Sequence, residues 1–114
     1  IKYIEFNMPT IKSTDETFDK ILKENKIVLT DFWATWCSPC ISLAPILEQL
    51  SDELKDKGVV IAKHNIDEEP NLPVKFSVRG IPTMTLHIDS EHKATKVGLT
   101  NKSDLKNWIE KYLI

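Results

Sequence analysis

Cys37 and Cys40, the only cysteines of the chain, stand two residues apart in Trp36-Cys37-Ser38-Pro39-Cys40, where an extended apolar run gives way to a helical pattern. Upstream, Ile27-Val28-Leu29-Thr30-Asp31-Phe32-Trp33 is a short run of β-branched and aromatic residues, of strand rather than helix length. Downstream, Leu43, Leu47, Leu50 and Leu54 recur at steps of four and three, the apolar stripe of a helix that faces a core. A strand that runs straight into a helix is half of a βαβ unit, so the chain is confined to folds in which helices lie against a sheet. Cys37 then falls at or beside the helix N-terminus, where unpaired backbone N–H groups and the positive end of the helix dipole favour a thiolate over a thiol. Cys40 faces the same side one turn deeper. One sulfur is placed to attack and the other to resolve.

Two other uses of such a pair compete with redox work. A zinc site needs four ligands, and the remaining candidates, His64, His87 and His92, stand in no zinc-finger spacing. Two ordinary buried small residues are the other reading, and the strand-to-helix junction favours the redox pair over it. A chain of 114 residues suits one domain, residues 1–114, large enough to bury a core without disulfide staples. The formal charge of −2, with lysines and acids scattered, predicts no grip on nucleic acid, whose phosphates call for a basic surface. No apolar run approaches the roughly 20 residues that span a bilayer, so no membrane span is expected, and no basic segment followed by an apolar one opens the chain as given. The expected compartment is the cytoplasm.

The rest of the chain alternates strand and helix patterns. Tyr3 to Asn7 alternates and reads as a first strand. Ser13-Thr14-Asp15-Glu16 offers a capping box, with Ser13 as N-cap and Glu16 at N3, opening a helix that turns Phe18, Ile21 and Leu22 inward. The helix from about Cys37 to Lys57 contains Pro45, which removes a backbone donor, and Gly58 ends it. Val59 to Ile66 is a further strand, Glu69 to Val78 holds at most a short helix because of Pro70 and Pro73, and Thr83–Ile88 with Lys93–Val97 forms a hairpin across Asp89-Ser90-Glu91-His92. Asn101 caps a last helix with Asp104 at N3 and Leu105, Trp108, Ile109 and Tyr112 on its buried face. The order β-α-β-α-β-α-β-β-α predicts an α/β fold: one mixed sheet of about five strands, a parallel portion followed by an antiparallel hairpin, flanked by about four helices.

From Asp15 to the C-terminus the chain resembles the thioredoxin family. Asp31-Phe32-Trp33-Ala34-Thr35-Trp36-Cys37-Ser38-Pro39-Cys40 is similar to the active-site segment of that family, and Pro45 matches its helix proline. Lys63-His64-Asn65-Ile66-Asp67 resembles the strand with a buried lysine, Arg79-Gly80-Ile81-Pro82-Thr83 the cis-proline loop, and Lys96-Val97-Gly98 the last strand end. Thioredoxins commonly have glycine where Ser90 stands, so the hairpin turn is where this chain departs from its relatives.

The resemblance implies a thioredoxin fold and a dithiol-disulfide oxidoreductase. In that reading Cys37 attacks a partner disulfide and Cys40 resolves the mixed disulfide. Asp31, an ionisable residue within an apolar strand, takes the Cys40 proton, with Lys63 as its partner on the neighbouring strand; the alternative is a buried ion pair without a part in turnover. Trp36, Ser38, Pro39, Ile81, Pro82, Val97 and Gly98 contact the client, joined by Ile66 and Gly80, while Trp33 packs. No bound cofactor or metal is called for. The implied partners are disulfide-containing clients and an NADPH-dependent thioredoxin reductase, and the expected state is a monomer. Ser38 between the cysteines supplies no cation to stabilise a thiolate, which argues for a reductant. An oxidant or isomerase of exported proteins in the same fold, or a binding subunit with incidental redox chemistry, are the rival functions. The three histidines have no carboxylate or cysteine pattern around them and read as surface or packing residues.

Overall fold

The two most apolar runs become neighbouring parallel strands at the centre of a five-stranded sheet in the computed structural model, which describes residues 9–113. In chain order the elements are β1 (Ile11–Ser13), α1 (Phe18–Glu24), β2 (Ile27–Trp33), α2 (Ser38–Leu54), β3 (Val59–Asn65), α3 (Asn71–Lys75), β4 (Thr83–Ile88), β5 (Glu91–Val97) and α4 (Lys102–Glu110). The spatial order is β1-β3-β2-β4-β5, with β1, β3 and β2 parallel and β4 and β5 antiparallel. This is the expected mixed sheet. Among the described residues, no helix is long and apolar enough to cross a membrane.

Alternation along β2 sends its residues to opposite faces. Ile27 and Leu29 join Leu43, Leu47, Leu50 and Leu54 of α2 and Leu105 and Ile109 of α4 in one core. Val28 and Phe32 join Phe18, Ile21 and Leu22 of α1 and Leu72 of α3 in the other. Asp31 therefore shares the α2 face, beneath the end of the sheet where α2 begins. Helix α2 continues through Pro45, which has no N–H for the carbonyl of Ile41. After Leu54 the chain tightens into a 3-10 turn, Lys55–Lys57, and Gly58 ends it in the left-handed region at φ 80°, its N–H bonded to the Lys55 carbonyl.

Three local expectations are corrected. The expected strand at Tyr3–Asn7 lies outside the described residues, and the first described strand is Ile11–Ser13. Ser13 does not cap α1: it is the buried last residue of β1, and the Thr14 and Thr17 hydroxyls accept each other's backbone N–H at 3.0 Å in the turn that leads into the helix. The helix opens at Phe18 instead. In the hairpin the turn is two residues, not four: Asp89 and Ser90 both have positive φ, 53° and 67°, the signature of a type I′ turn. Strand β5 thus begins at Glu91, and one extra residue, Lys93, sits between the pairs Leu86–Ala94 and His87–His92 as a bulge.

Candidate active site

Cys37 is the N-cap of α2. Its extended backbone, φ −96° and ψ 105°, aims Sγ back over the first turn, where it accepts the Cys40 N–H at 3.2 Å. Pro39, inside that turn, has no N–H to leave unpaired. The cysteines are joined as a disulfide with Cα atoms 5.2 Å apart, and Ala34 packs against both. Ser38 and Pro39 are exposed between them, whereas Cys40 is 1 % and Cys37 5 % exposed. An amide dipole at the positive end of a 17-residue helix stabilises negative charge on Cys37 Sγ once the pair is reduced.

The facing wall is the loop before β4. The Ile81–Pro82 peptide is cis, as the resemblance implies, and the Ile81 carbonyl lies 3.7 Å from Cys37 Sγ. Gly98 N–H donates to the Pro82 carbonyl at 2.8 Å, which brings the end of β5, with the exposed Val97, beside the same loop. Across the cysteines, Trp36 is 67 % exposed, and its Nε1 donates to Asp67 Oδ2 at 2.8 Å. Trp36, Ile66, Gly80 and Ile81 line a shallow groove together with Pro73, Val78 and Arg79. Trp33, by contrast, packs against the cysteine cluster.

Beneath the helix start, Asp31 is fully buried and neither carboxylate oxygen has a hydrogen-bond partner. Burial pushes its carboxyl up from 3.8 to about 7, opposed by the charge of Lys63. The strand register sets Lys63 directly beside Asp31, as expected, but the side chains do not form an ion pair. The Lys63 ammonium instead lies 4.6 Å from the centre of the Trp33 ring. The lysine moderates the aspartate through space, and the aspartate keeps a free acceptor near neutrality.

The sequence model of the thioredoxin family matches residues 9–111. The chain belongs to the thioredoxin family. It is 48 % identical to the thioredoxin of Rickettsia felis over 99 residues, covering 86 % of this chain and 93 % of that one. It is 46 % identical to the thioredoxin of Acidithiobacillus ferridurans over 101 residues, covering 88 % and 93 %. A solved mutant thioredoxin from Halobacterium salinarum NRC-1 superposes with a TM-score of 0.85 at 34 % identity, covering 94 % of each chain. The protein has the thioredoxin fold and is a thioredoxin-type dithiol-disulfide oxidoreductase with Cys37 and Cys40 as its redox pair.

Several residues of this site were not singled out from the sequence. Asp67, which holds Trp36, and Arg79 lie inside motifs that were read for other residues, while Pro73 and Val78, which complete the groove, sit in a stretch without a chemical pattern of its own. The histidines also differ from their expected surroundings. His64 is fully buried with Asp15 Oδ1 3.3 Å from its Nε2, so a carboxylate does face it. His87 is buried edge-on to Phe18 and Phe76 and stacks on the exposed His92 at 5.0 Å. Burial, with His92 and Lys75 nearby, pushes its imidazole down from 6.5 to about 4.

Proposed function

We propose that this member of the thioredoxin family is a cytoplasmic reductant of protein disulfides, recharged by an NADPH-dependent thioredoxin reductase. In the reduced protein the Cys37 thiolate attacks one sulfur of a client disulfide. A Cys37–client bond forms, and the other client sulfur leaves as a thiolate that takes a proton from solvent. Asp31 then accepts the Cys40 proton, directly or through water, as Cys40 attacks Cys37 Sγ. The client's second sulfur leaves and Cys37–Cys40 is restored. Two electrons have passed to the client, and the reductase returns them from NADPH.

The observation that carries this reading is the division of labour at the start of α2: Sγ of Cys37 receives the Cys40 amide at the helix N-terminus, while Cys40 lies behind it. Asp31, unpartnered and titrating near neutrality, suits a base for a buried thiol. Trp36, Ser38, Pro39, Ile66, Gly80, Ile81, Pro82, Val97 and Gly98 supply the client face, with backbone of the Ile81 segment available to pair with an extended strand. The chain acts as a monomer, and Lys63 tunes Asp31.

The test is insulin reduction coupled to thioredoxin reductase and NADPH. The parent protein sustains turnover. Cys37→Ser is inactive and forms no adduct, whereas Cys40→Ser accumulates mixed disulfides through Cys37. Faster alkylation of Cys40 than of Cys37 in the reduced parent near neutral pH overturns the assignment of roles.

A further inference from the structure

One buried titratable side chain has no part in the sulfur chemistry, yet three chain segments close around it. His64 Nδ1 lies 3.0 Å from Oγ of Ser13, the last residue of β1. Its Nε2 lies 3.0 Å from the Glu69 carbonyl and 3.3 Å from Asp15 Oδ1. Both neighbours of Nε2 are acceptors, so that nitrogen carries the hydrogen. The Ser13 hydroxyl, which can donate or accept, satisfies Nδ1 in either protonation state.

The Asp15 carboxylate is engaged on its other side as well. It accepts the Asn71 N–H at 3.0 Å and the Leu72 N–H at 2.9 Å, and the Asp15 N–H donates to Glu69 Oε1 at 2.8 Å. Helix α3 therefore starts on a carboxylate supplied from the β1–α1 connection, and His64 holds that carboxylate. No side chain within α3 caps it. From this anchored start the chain runs through Pro73 to Val78, Gly80 and Ile81, one whole wall of the groove beside Cys37. Ile66, two residues beyond His64, faces that wall and packs with the cysteine cluster.

We propose that His64 is a positioning residue for protein clients: through Asp15 it fixes the start of α3 and thereby the Pro73–Ile81 wall against which a client segment docks. This rests on the groove being the client site. A small disulfide needs only the sulfurs, so the relay distinguishes protein clients from small ones. A rigid wall lowers the cost of ordering the client on docking, an effect felt in binding rather than in the exchange step.

The experiment uses pre-reduced full-length protein with two oxidants, insulin and 5,5′-dithiobis(2-nitrobenzoate). His64→Leu, which keeps bulk but removes both ring hydrogen bonds, raises the half-saturating insulin concentration about tenfold, the scale of one or two lost hydrogen bonds. Its limiting rate and its rate with the small disulfide stay within about twofold of the parent, and His64→Gln, which restores an N–H donor, recovers most of the insulin affinity. Asp15→Ala is expected to show the same split and carries the test should His64→Leu not fold. Ile81→Ser serves as the groove control. Equal losses with both oxidants, or no change with insulin while Ile81→Ser weakens it, overturn the positioning role. An Ile81→Ser variant with unaltered insulin kinetics overturns the groove reading and the inference with it.

Discussion

Replacing Asp31 with Asn separates the cost of this carboxyl from its use. Its pKa rises from 3.8 to about 7 on burial, so the folded state binds the proton more tightly than the unfolded chain. Stability contributed by that proton is present below pH 3.8 and is lost as pH rises through the window to about 7. A shift of about three units at about 1.4 kcal/mol each gives roughly 4 kcal/mol of destabilisation above pH 7. That figure is an upper bound, because an asparagine amide in the same place is itself unpartnered and costs about 1–3 kcal/mol. The net expectation is that Asp31→Asn is about 1–3 kcal/mol more stable at pH 8 and no more stable than the parent at pH 4. The same variant reduces insulin at least about tenfold more slowly at pH 7, since a positioned base contributes on the order of a hundredfold or more. Denaturant midpoints of the oxidised proteins at pH 4, 5.5, 7 and 8 read the first effect, and turnover reads the second. A stability difference that does not change with pH, or a variant equally fast at pH 7, refutes the reasoning and leaves Asp31 a structural residue.

Three further outcomes are expected. Trp33 packs against the cysteine cluster and Trp36 adjoins it, while Trp108 packs on Tyr112 in the α4 region, so the redox-dependent change in tryptophan emission is retained in Trp108→Phe and lost in a Trp33→Phe, Trp36→Phe double variant. Ser90 holds φ at 67°, a conformation that costs a non-glycine residue about 1 kcal/mol, so Ser90→Gly raises stability by roughly 0.5–1 kcal/mol in a denaturant titration even though it gives up the 3.3 Å bond to the Leu22 carbonyl. His87 is held neutral with its pKa lowered to about 4, so its contribution is intact above pH 6.5 and is lost as pH falls toward 4; His87→Phe removes up to about 3 kcal/mol of that acid sensitivity, and parallel acid-unfolding curves for the two proteins contradict it.

The chemistry was legible because it is written in contiguous residues. A strand, two cysteines and a helical stripe occupy one uninterrupted segment, and Asp31 stands out as an acid among apolar neighbours; local pattern and tertiary role coincide there. The groove was legible only in part. Trp36, Ile66, Gly80 and Ile81 came from motifs, but Pro73 and Val78 lie in and just after α3, whose first N–H groups are bonded by Asp15, a carboxylate 56 residues before Asn71. No spacing rule reports such a contact. The capping box failed for a different reason: Ser13 is drawn into the sheet beside His64, and the reciprocal hydroxyl bonds form one residue later, between Thr14 and Thr17, in the turn before the helix. The hairpin turn was mistaken because a two-residue turn with positive φ at both positions ordinarily advertises itself with glycine, and Asp89-Ser90 does not. Lys63 shows the limit of register: it neighbours Asp31 in the ladder, yet its long side chain finds the face of Trp33.

The bulge at Lys93 bears on how this protein behaves in a crowd of its own copies. A sheet with two open edges offers unpaired backbone groups to any passing strand, and edge-to-edge pairing is the start of aggregation. Among the described residues one edge, β1, is three residues long, a short template for an added strand. The other, β5, is interrupted by the extra residue and carries Glu91, Lys93 and Lys96 along it, so a second copy meets neither a continuous ladder nor an uncharged rim. Trp36 and Val97, on the proposed client face, stay exposed, while the short described strand and the bulged one make the two sheet edges poor partners for another strand.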